Sequence, residues 1–521
     1  MSLKVIPLVV RGCIVLFAAG ALVVGCRMPI GRDPDPEENG DNETAPESPL
    51  EFHTIWNTAN TTGDSSGSDQ IALPLVTGGT YDFTVDWGDG TQDEITSSDD
   101  PAVTHTYAES GVYEIVITGE IVGFAFSNSG DRDKLIEIRS WGPLRLGNTG
   151  GHFHGASNLE ITATDILDLS GTTDMRSAFN RAEQLTTVPN MGEWDFSAVT
   201  RTSHMFSGVG SFNEEIGGWE LSSVTDMRYK FNNASSFNHD IGDWDVSSVT
   251  HMGNMFSGAE AFNRDLDEWD TSQVTSMGWM FSEATAFNGE IGTWTVSGVS
   301  DMRHMFRNAE SFNRDIGGWD VSSITDMSRI FEGASLFNQD IGGWTVDEVT
   351  NMDSAFRGAS AFDQDIGDWN VSGVTDMRYM FAHAEAFDQD IGGWQVSDVE
   401  DMQAMFWSAT AFNQDISEWE VPSVENMRIM FRSATAFDQD VGGWNVTSVG
   451  DMTDMFHQSG LTTASYEALL EGWAGLADDL QSEVELGVGT VQYSSAAQEY
   501  RDILTNPAGP AWTITDGGVL D

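Results

Sequence analysis

"FNRDIGGWDVSSITDMSRIFEGASL" (Phe312–Leu336) is followed at once by "FNQDIGGWTVDEVTNMDSAFRGASA" (Phe337–Ala361), the same 25-residue phrase with its variable letters changed. Tryptophan keeps that interval from Trp194 through Trp219, Trp244 and Trp269 to Trp444, phenylalanine from Phe206 to Phe456, and methionine from Met227 to Met452. Self-similarity at a fixed period marks units that cannot close their own core and must bury apolar surface against their neighbours. Within one unit, Trp244 and Val246 fall on one side of a short strand and Asp245 on the other. Thr250 offers an N-cap, and Met252, Met255, Phe256 and Ala259 follow at helical spacing. Gly258 and its equivalents Gly208, Gly333 and Gly358 end that turn. The expectation is an α/β solenoid in which each coil carries one short strand and one short helix or helical turn. Regular coils occupy 187–460, behind irregular capping repeats over 122–186. A cap over 461–521 closes the stack, with Tyr466, Leu469, Leu470, Trp473 and Leu476 on one helical face.

The columns divide by chemistry. Trp shares its face with the Val two residues on, and so long an apolar stripe exposed to water would aggregate, so the indoles are expected inside. The Met column is expected in the core with Phe and Ala. A polar column that is always Asn or Asp (Asn238, Asn263, Asn288) is followed two residues later by one that is always acidic. Stacked carboxylates repel, so they need compensation. Two answers stay open: backbone N–H groups satisfied along an Asn ladder, or calcium bridging at Asp240, Asp265, Asp315, Asp340, Asp365 and Asp390. Calcium is the only cofactor in view. A third column, Asp195, Glu220, Asp245, Asp270, Asp320, Asn370, Glu420 and Asn445, stays polar while its residues vary, and is the candidate binding face.

"FNQDIGGWTV", "VTDM" and the "MF" that follows resemble the BspA-like leucine-rich-repeat surface proteins of bacteria. The resemblance runs from about Leu135 to Asp521. It takes in the leading "FHGASNLEITATDILDLSGTTDMRSAF" (Phe153–Phe179) and the closing "SYEALLEGW" (Ser465–Trp473) and "AWTITDGG" (Ala511–Gly518). It implies a leucine-rich-repeat type of coil, surface display and adhesion, and no particular reaction.

The N-terminus has a different character. Lys4 and Arg11 precede an apolar run, "GCIVLFAAGALVV" (Gly12–Val24), too short for a comfortable bilayer span. "VVGC" (Val23–Cys26) resembles a bacterial lipoprotein signal, which implies a signal peptide over 1–26 and lipid attachment at Cys26. An ordinary cleaved signal and an uncleaved anchor are the alternatives. Residues 27–50 are Pro- and acid-rich, with too little apolar surface to fold, and read as a disordered tether. Over 51–121 the alternation in "YDFTVDWGDG" and "GVYEIVITGEI" predicts short strands of a small all-β sandwich. "WGDGT" (Trp87–Thr91) with "HTYAESGVYEIVITG" (His105–Gly119) resembles a polycystic-kidney-disease-type Ig-like module. There Asp86 and Asp89 are expected to shape a turn, with a calcium site as the alternative.

Charge narrows the partners. With 82 acidic residues against 23 basic ones, the formal net charge is −59, and lysine occurs only at Lys4, Lys134 and Lys230. Phosphate recognition needs clustered cations, so nucleic acid is excluded and a membrane is met only through the N-terminal lipid. No Walker loop, nucleophile elbow, His-Glu-x-x-His or CxxC pair occurs, and His152 and His154 have no third ligand at suitable spacing, so no enzyme is expected. The reading is a lipid-anchored protein exported to the bacterial cell surface or outer membrane, offering a binding or adhesion surface to extracellular protein or glycan. The alternatives are a ligand-free spacer or surface-layer element, a calcium-stabilised scaffold and a polysaccharide-active protein.

Overall fold

The computed structural model describes residues 50–520 and, ahead of them, a short antiparallel pair, β1 (Val9–Val10) with β2 (Cys13–Ile14). Cys26 and the tether up to residue 49 lie outside the described residues, as does most of the expected signal peptide. Among the described residues no helix is long and apolar enough to cross a membrane.

Alternating residues of the next segment build a sheet. Its strands are β3 (Phe52–Asn57), β5 (Leu75–Asp86), β6 (Gln92–Ile95), β8 (Val112–Phe124), β9 (Leu135–Ser140), β10 (Leu144–Arg145) and β11 (Glu160–Ile161). The order is β11-β9-β3-β8-β5-β6, with β10 pairing on β8, while β4 (Gln70–Ala72) and β7 (Thr104–Thr106) pair separately. The expected Ig-like sandwich over 51–121 is therefore corrected. β8 runs across residue 121, β9 covers the open side of β3, and one buried apolar cluster continues from Phe52 into the repeats. Covering an edge strand in this way satisfies N–H and C=O groups that would otherwise recruit another chain.

This module carries a buried lysine with a complete set of partners. Lys134 Nζ lies 3.1 Å from Asp131 and has Ser66 O, Ser66 Oγ, Gly67 O and Gln70 O within 2.7–3.1 Å, more acceptors than its three N–H groups can use at once. Asp131 in turn accepts from Ser66 N, Ser66 Oγ and Ala72 N at 2.6–2.7 Å. The pair ties the loop before β4 to the turn before β9. Lys134→Met strands a buried carboxylate, and we expect a loss of about 3–5 kcal/mol in urea unfolding of the module.

The repeats correct the fold expectation more deeply. No α/β coil of leucine-rich-repeat type, with one strand and one helix per unit, is seen, and none of the sheets runs along the repeats. Residues 201–456 are instead coils of consecutive turns, joined by single-residue parallel bridges such as Asp226↔His251 and His251↔Ser276. The hydrogen bonds give the reason. Alternate amides donate across coils, Met252 N to Ser276 O, Asn254 N to Gly278 O, Phe256 N to Met280 O and Gly258 N to Ser282 O, at 2.8–3.1 Å. The amides between them close local turns, Met255 N on Met252 O, Ser257 N on Asn254 O and Ala259 N on Phe256 O. With every second donor spent on the next coil, no i→i−4 helix can form. Left-handed backbone at Asn254 (φ 59°) and Gly258 (φ 72°) breaks the helical path twice per coil. Nor is Trp244–Val246 a strand: both side chains are buried, but Trp244 N closes a turn on Ile241 O.

Packing, rather than regular secondary structure, holds the coils. Phe rings stack from Phe153 through Phe179, Phe206 and each equivalent to Phe456, with neighbouring centroids 5.4–5.8 Å apart, and Phe124 meets the first of them tilted at 41° and 5.8 Å. A second column, Phe212 to Phe437, lies about 4 Å from the first within each coil. The Trp column is buried as expected. From Trp219 to Trp444 each indole N–H also reaches a backbone carbonyl of the preceding coil, as Trp244 Nε1 to Ile216 O (3.0 Å) and Trp269 Nε1 to Ile241 O (3.0 Å), whereas Trp194 Nε1, at the head of the column, is buried without a partner. The bond satisfies a donor that the apolar interior would otherwise strand.

One core position breaks the pattern. Where neighbouring coils place Met205 and Met255, the sequence has Lys230, fully buried. Its Nζ stands 5.1 Å from the Trp219 ring and 5.4 Å from the Trp244 ring, with Met205 Sδ at 3.9 Å. Burial pushes its ammonium down to about 7.

At the far end, α1 (Thr463–Ala474) starts at an Ser465 N–H accepted by the Thr462 hydroxyl and buries Tyr466, Leu469, Leu470 and Trp473. β12 (Glu485–Gly487) takes the place of a further coil, bridging Met452 through Leu486 and accepting Phe456 N at Gly487 O. α2 (Gln498–Leu504) and β13 (Thr513–Thr515), which pairs parallel with β12, complete the cap.

Candidate binding face

Asp195, Glu220, Asp245, Asp270, Asp320, Asn370, Glu420 and Asn445 do form one exposed column, a residue to each coil. Their chemistry is largely local. Asp195, Asp245, Asp270, Asp320, Asn370 and Asn445 each accept the backbone N–H two residues on, at 2.9–3.3 Å. Hydrogen bonds from the Ser197, Ser272 and Ser322 side chains, then from their amides, hold Asp195, Asp270 and Asp320 below the usual carboxylate range. Glu220 and Glu420 are a methylene too long for that turn and extend into solvent.

The calcium column has a similar arrangement. Asp240, Asp315, Asp340, Asp365 and Asp390 accept from the Gly amide two residues on at 3.0–3.1 Å, and Asp265 accepts from Glu290 N of the next coil at 3.0 Å. Two residues earlier runs an Asn ladder, with Asn263 N on Asn238 Oδ1 and Asn288 N on Asn263 Oδ1 at 2.8–3.0 Å. The backbone N–H groups thus supply the compensation that stacked carboxylates need. Among the described residues no group of three or more His, Cys, Asp or Glu side chains is placed to hold a metal ion. His152 is packed, its ring nitrogens 3.0 Å from Phe124 O and 3.2 Å from Asp174 O, and burial lowers its pKa. In the β module, Asp86 and Asp89 cap their own turn through Gly88 N and Thr91 N, and Asp89 also meets His105 at 2.8 Å.

A different flank gathers the cations. Arg176, Arg201, Arg228, Arg303, Arg307, Arg329, Arg357, Arg378, Arg428 and Arg432 all occupy the segment of their coil equivalent to 251–258. Four follow Asp-Met: Asp174-Met175-Arg176, Asp226-Met227-Arg228, Asp301-Met302-Arg303 and Asp376-Met377-Arg378. With Met turned inward, Arg and Asp share the outer side and pair as two-pronged forks, Nε and Nη2 on the two carboxylate oxygens. Arg228 on Asp226 has both contacts at 2.9 Å, and Arg378 on Asp376 has them at 2.9 and 2.7 Å.

Planar rings sit between these forks. His204 stacks on Tyr229 (4.4 Å, 8°), Trp279 on His304 (3.6 Å, 11°), and the Arg357 guanidinium lies 5.3 Å over Tyr379. Burial, then the positive Arg329, Arg307 and Arg303, push His304 down to about 4, so it is neutral at physiological pH. Two cavities open here. One of about 370 Å³ lies among Gly151, His154, Arg176, His204 and Arg228, and one of about 290 Å³ among Arg329, Asp353, Arg357, Arg378, Tyr379 and Trp407. Sequence reasoning missed this flank, although the recurrence of Asp-Met-Arg and the near-exclusive use of Arg over Lys were signals for it.

Residues 124–242, 173–294, 203–319, 310–409 and 362–473 match the family described as Mycoplasma protein of unknown function, DUF285. The chain belongs to this family. No curated protein matches it. The DUF285 matches begin at Phe124, which packs tilted on Phe153 at the head of the stacked Phe column, and end at Trp473 in α1. They overlap because the coils are interchangeable, and they agree with a surface protein built of repeats.

Proposed function

We propose that this DUF285 chain is a surface-displayed binding protein of BspA-like kind, exported and held by a lipid on Cys26, whose arginine-bearing flank docks an extracellular glycan. The observation that carries this reading is the interleaving of Arg–Asp forks with stacked rings on one side of a chain whose net charge is −59. Rings offer flat apolar faces to sugar C–H groups, and fixed forks offer paired donors and acceptors to hydroxyls. Many weak contacts add along a surface that is already ordered. The exposed column through Asp245 supports a second reading for its own face, that of a ligand-free spacer, since most of its side chains serve their own turns.

The test is a glycan and matrix-protein array probed with the whole protein. Trp279→Ala combined with Arg357→Ala is expected to weaken the retained glycans about tenfold or more, while Asp245→Ala, Asp270→Ala and Asp320→Ala leave them bound. Retention of proteins alone would replace glycan with protein as the partner. An empty array would leave the spacer.

A further inference from the structure

We infer that the cavity between Arg329, Asp353, Arg357, Arg378, Tyr379 and Trp407 is a subsite for one carboxylated pyranose, a sugar acid carried at the end of an otherwise neutral glycan. The inference rests on the proposed glycan-binding reading and names the ligand chemistry at one place on that flank.

The charge of the wall comes first. Three guanidinium groups and one carboxylate, that of Asp353, line the cavity, while Asp376 and Glu332, which pair with Arg378 and Arg357, are not part of its lining. Arg378 is oriented by Asp376, with Nε and Nη2 contacts of 2.7–3.1 Å. The other two are held loosely: Arg329 Nε reaches Asp353 at 3.4 Å and Arg357 Nη1 reaches Glu332 at 3.3 Å. Charge-assisted bonds of this kind are ordinarily about 2.7–2.9 Å. Both side chains are about two-fifths exposed, so their forks have donors to offer a planar carboxylate.

The rings and the volume then restrict the class. Tyr379, beneath Arg357, and Trp407, which meets His383 edge-on at 4.5 Å, give the cavity apolar walls that a bare inorganic anion would not use. Asp353 adds an acceptor for a hydroxyl. At about 290 Å³ the cavity stands at the small end of the range for ligand sites, room for one ring and not for a chain. The surrounding charge sets the glycan's density of acid groups. Beyond about 8 Å at physiological salt, field from the acidic coils is screened, but a polyanion lying along them would meet it directly. A lone acid group on a neutral glycan does not.

The experiment is calorimetric titration of the whole protein with a tetrasaccharide ending in glucuronic acid and with its counterpart ending in glucose. The acid-ended probe is expected to bind about tenfold more tightly, the effect of one charge-assisted pair. Arg329→Ala and Arg357→Ala are expected to erase that preference. Arg314→Ala, which removes a partly exposed arginine bonded to Asn288 O and Glu290 outside the arginine-bearing flank, is expected to keep it. Equal affinity for the two probes overturns the inference, as does loss of the preference in Arg314→Ala to the extent seen in Arg357→Ala. If the array retains glycans whose binding ignores the terminal acid, the subsite falls and the glycan-binding flank stands. If wild type binds no glycan at all, both fall.

Discussion

Lys230→Met is expected to stabilise the protein at pH 7, by on the order of 4 kcal/mol, and to flatten its stability against pH between about 7 and 10. In the unfolded chain the ammonium titrates at its ordinary value of 10.5, whereas burial among Phe196, Trp219, Phe231 and Trp244 brings it to about 7 in the fold. Between those values the unfolded state binds a proton that the folded state does not. Stability therefore rises with pH across the window, by about 1.4 kcal/mol per unit. Below about 7 both states are protonated and the penalty is constant. The ring faces offset part of it, since a cation over an indole gains about 2 kcal/mol when desolvated. Methionine is what adjacent coils already carry at this position, so the replacement fits the space. The measurement is the urea midpoint of wild type and variant at pH 7, 8, 9 and 10. Parallel curves would show that Lys230 is not buried as a neutral amine. The difference between the two proteins is the informative quantity, because burial raises the pKa of Tyr81, Tyr107 and Tyr466 and their ionisation lowers stability at higher pH in both.

Phe331→Ala is expected to cost about 3–5 kcal/mol, and to cost it locally. Phe331 lies between Phe306 (5.6 Å) and Phe356 (5.5 Å), with Phe337 at 4.0 Å and Trp344 at 6.1 Å. Removing the ring opens a void that neighbours pinned by cross-coil hydrogen bonds cannot fill. Coils touch mainly their neighbours, so amide exchange should quicken around Phe306–Phe356 and stay slow around Phe206 and Phe437. Uniform loss of protection would mean the stack unfolds as one unit. Leu336→Ser beside it, 56% exposed, serves as the control and should stay within about 0.5 kcal/mol of wild type.

The period and the inward direction of Trp, Phe and Met were legible because burial repeats with the sequence. The secondary structure was not, because two backbones share one spacing. Met252, Met255, Phe256 and Ala259 lie inward on a helix, and they lie inward just as well on a run of three-residue turns kinked at Asn254 and Gly258. What separates the two is where the amides between them donate, and side-chain periodicity does not record that. Gly208, Gly258, Gly333 and Gly358 did mark a left-handed position, but they were read as the end of a helical turn rather than as a corner inside a coil, and Asn233 and Asn308, which hold the same position, went unread. The Asn ladder was visible as one of two alternatives. The arginine flank went unread because its meaning depends on Asp226 and Arg228 emerging on one side of a turn, which a helix or a strand would have arranged differently. Cys26 lies beyond the described residues, so the lipid anchor rests on its resemblance alone.

Two kinds of bond cross between coils at fixed sequence distance: the indole N–H, from Trp219 to Trp444, to a carbonyl 28 residues back, and alternate amides to carbonyls 24 residues on. Chain length is therefore quantised. Recombination that removes Asp301–Thr325 joins Ser300 to Asp326, the same residue pair as Ser300 and Asp301, and leaves every layer with an equivalent partner. A cut one residue shorter leaves a surplus residue that the coil can house only by breaking those bonds. Genes for such chains can lengthen or shorten by whole coils through unequal crossing-over, varying the reach of the flank while its local chemistry is inherited intact.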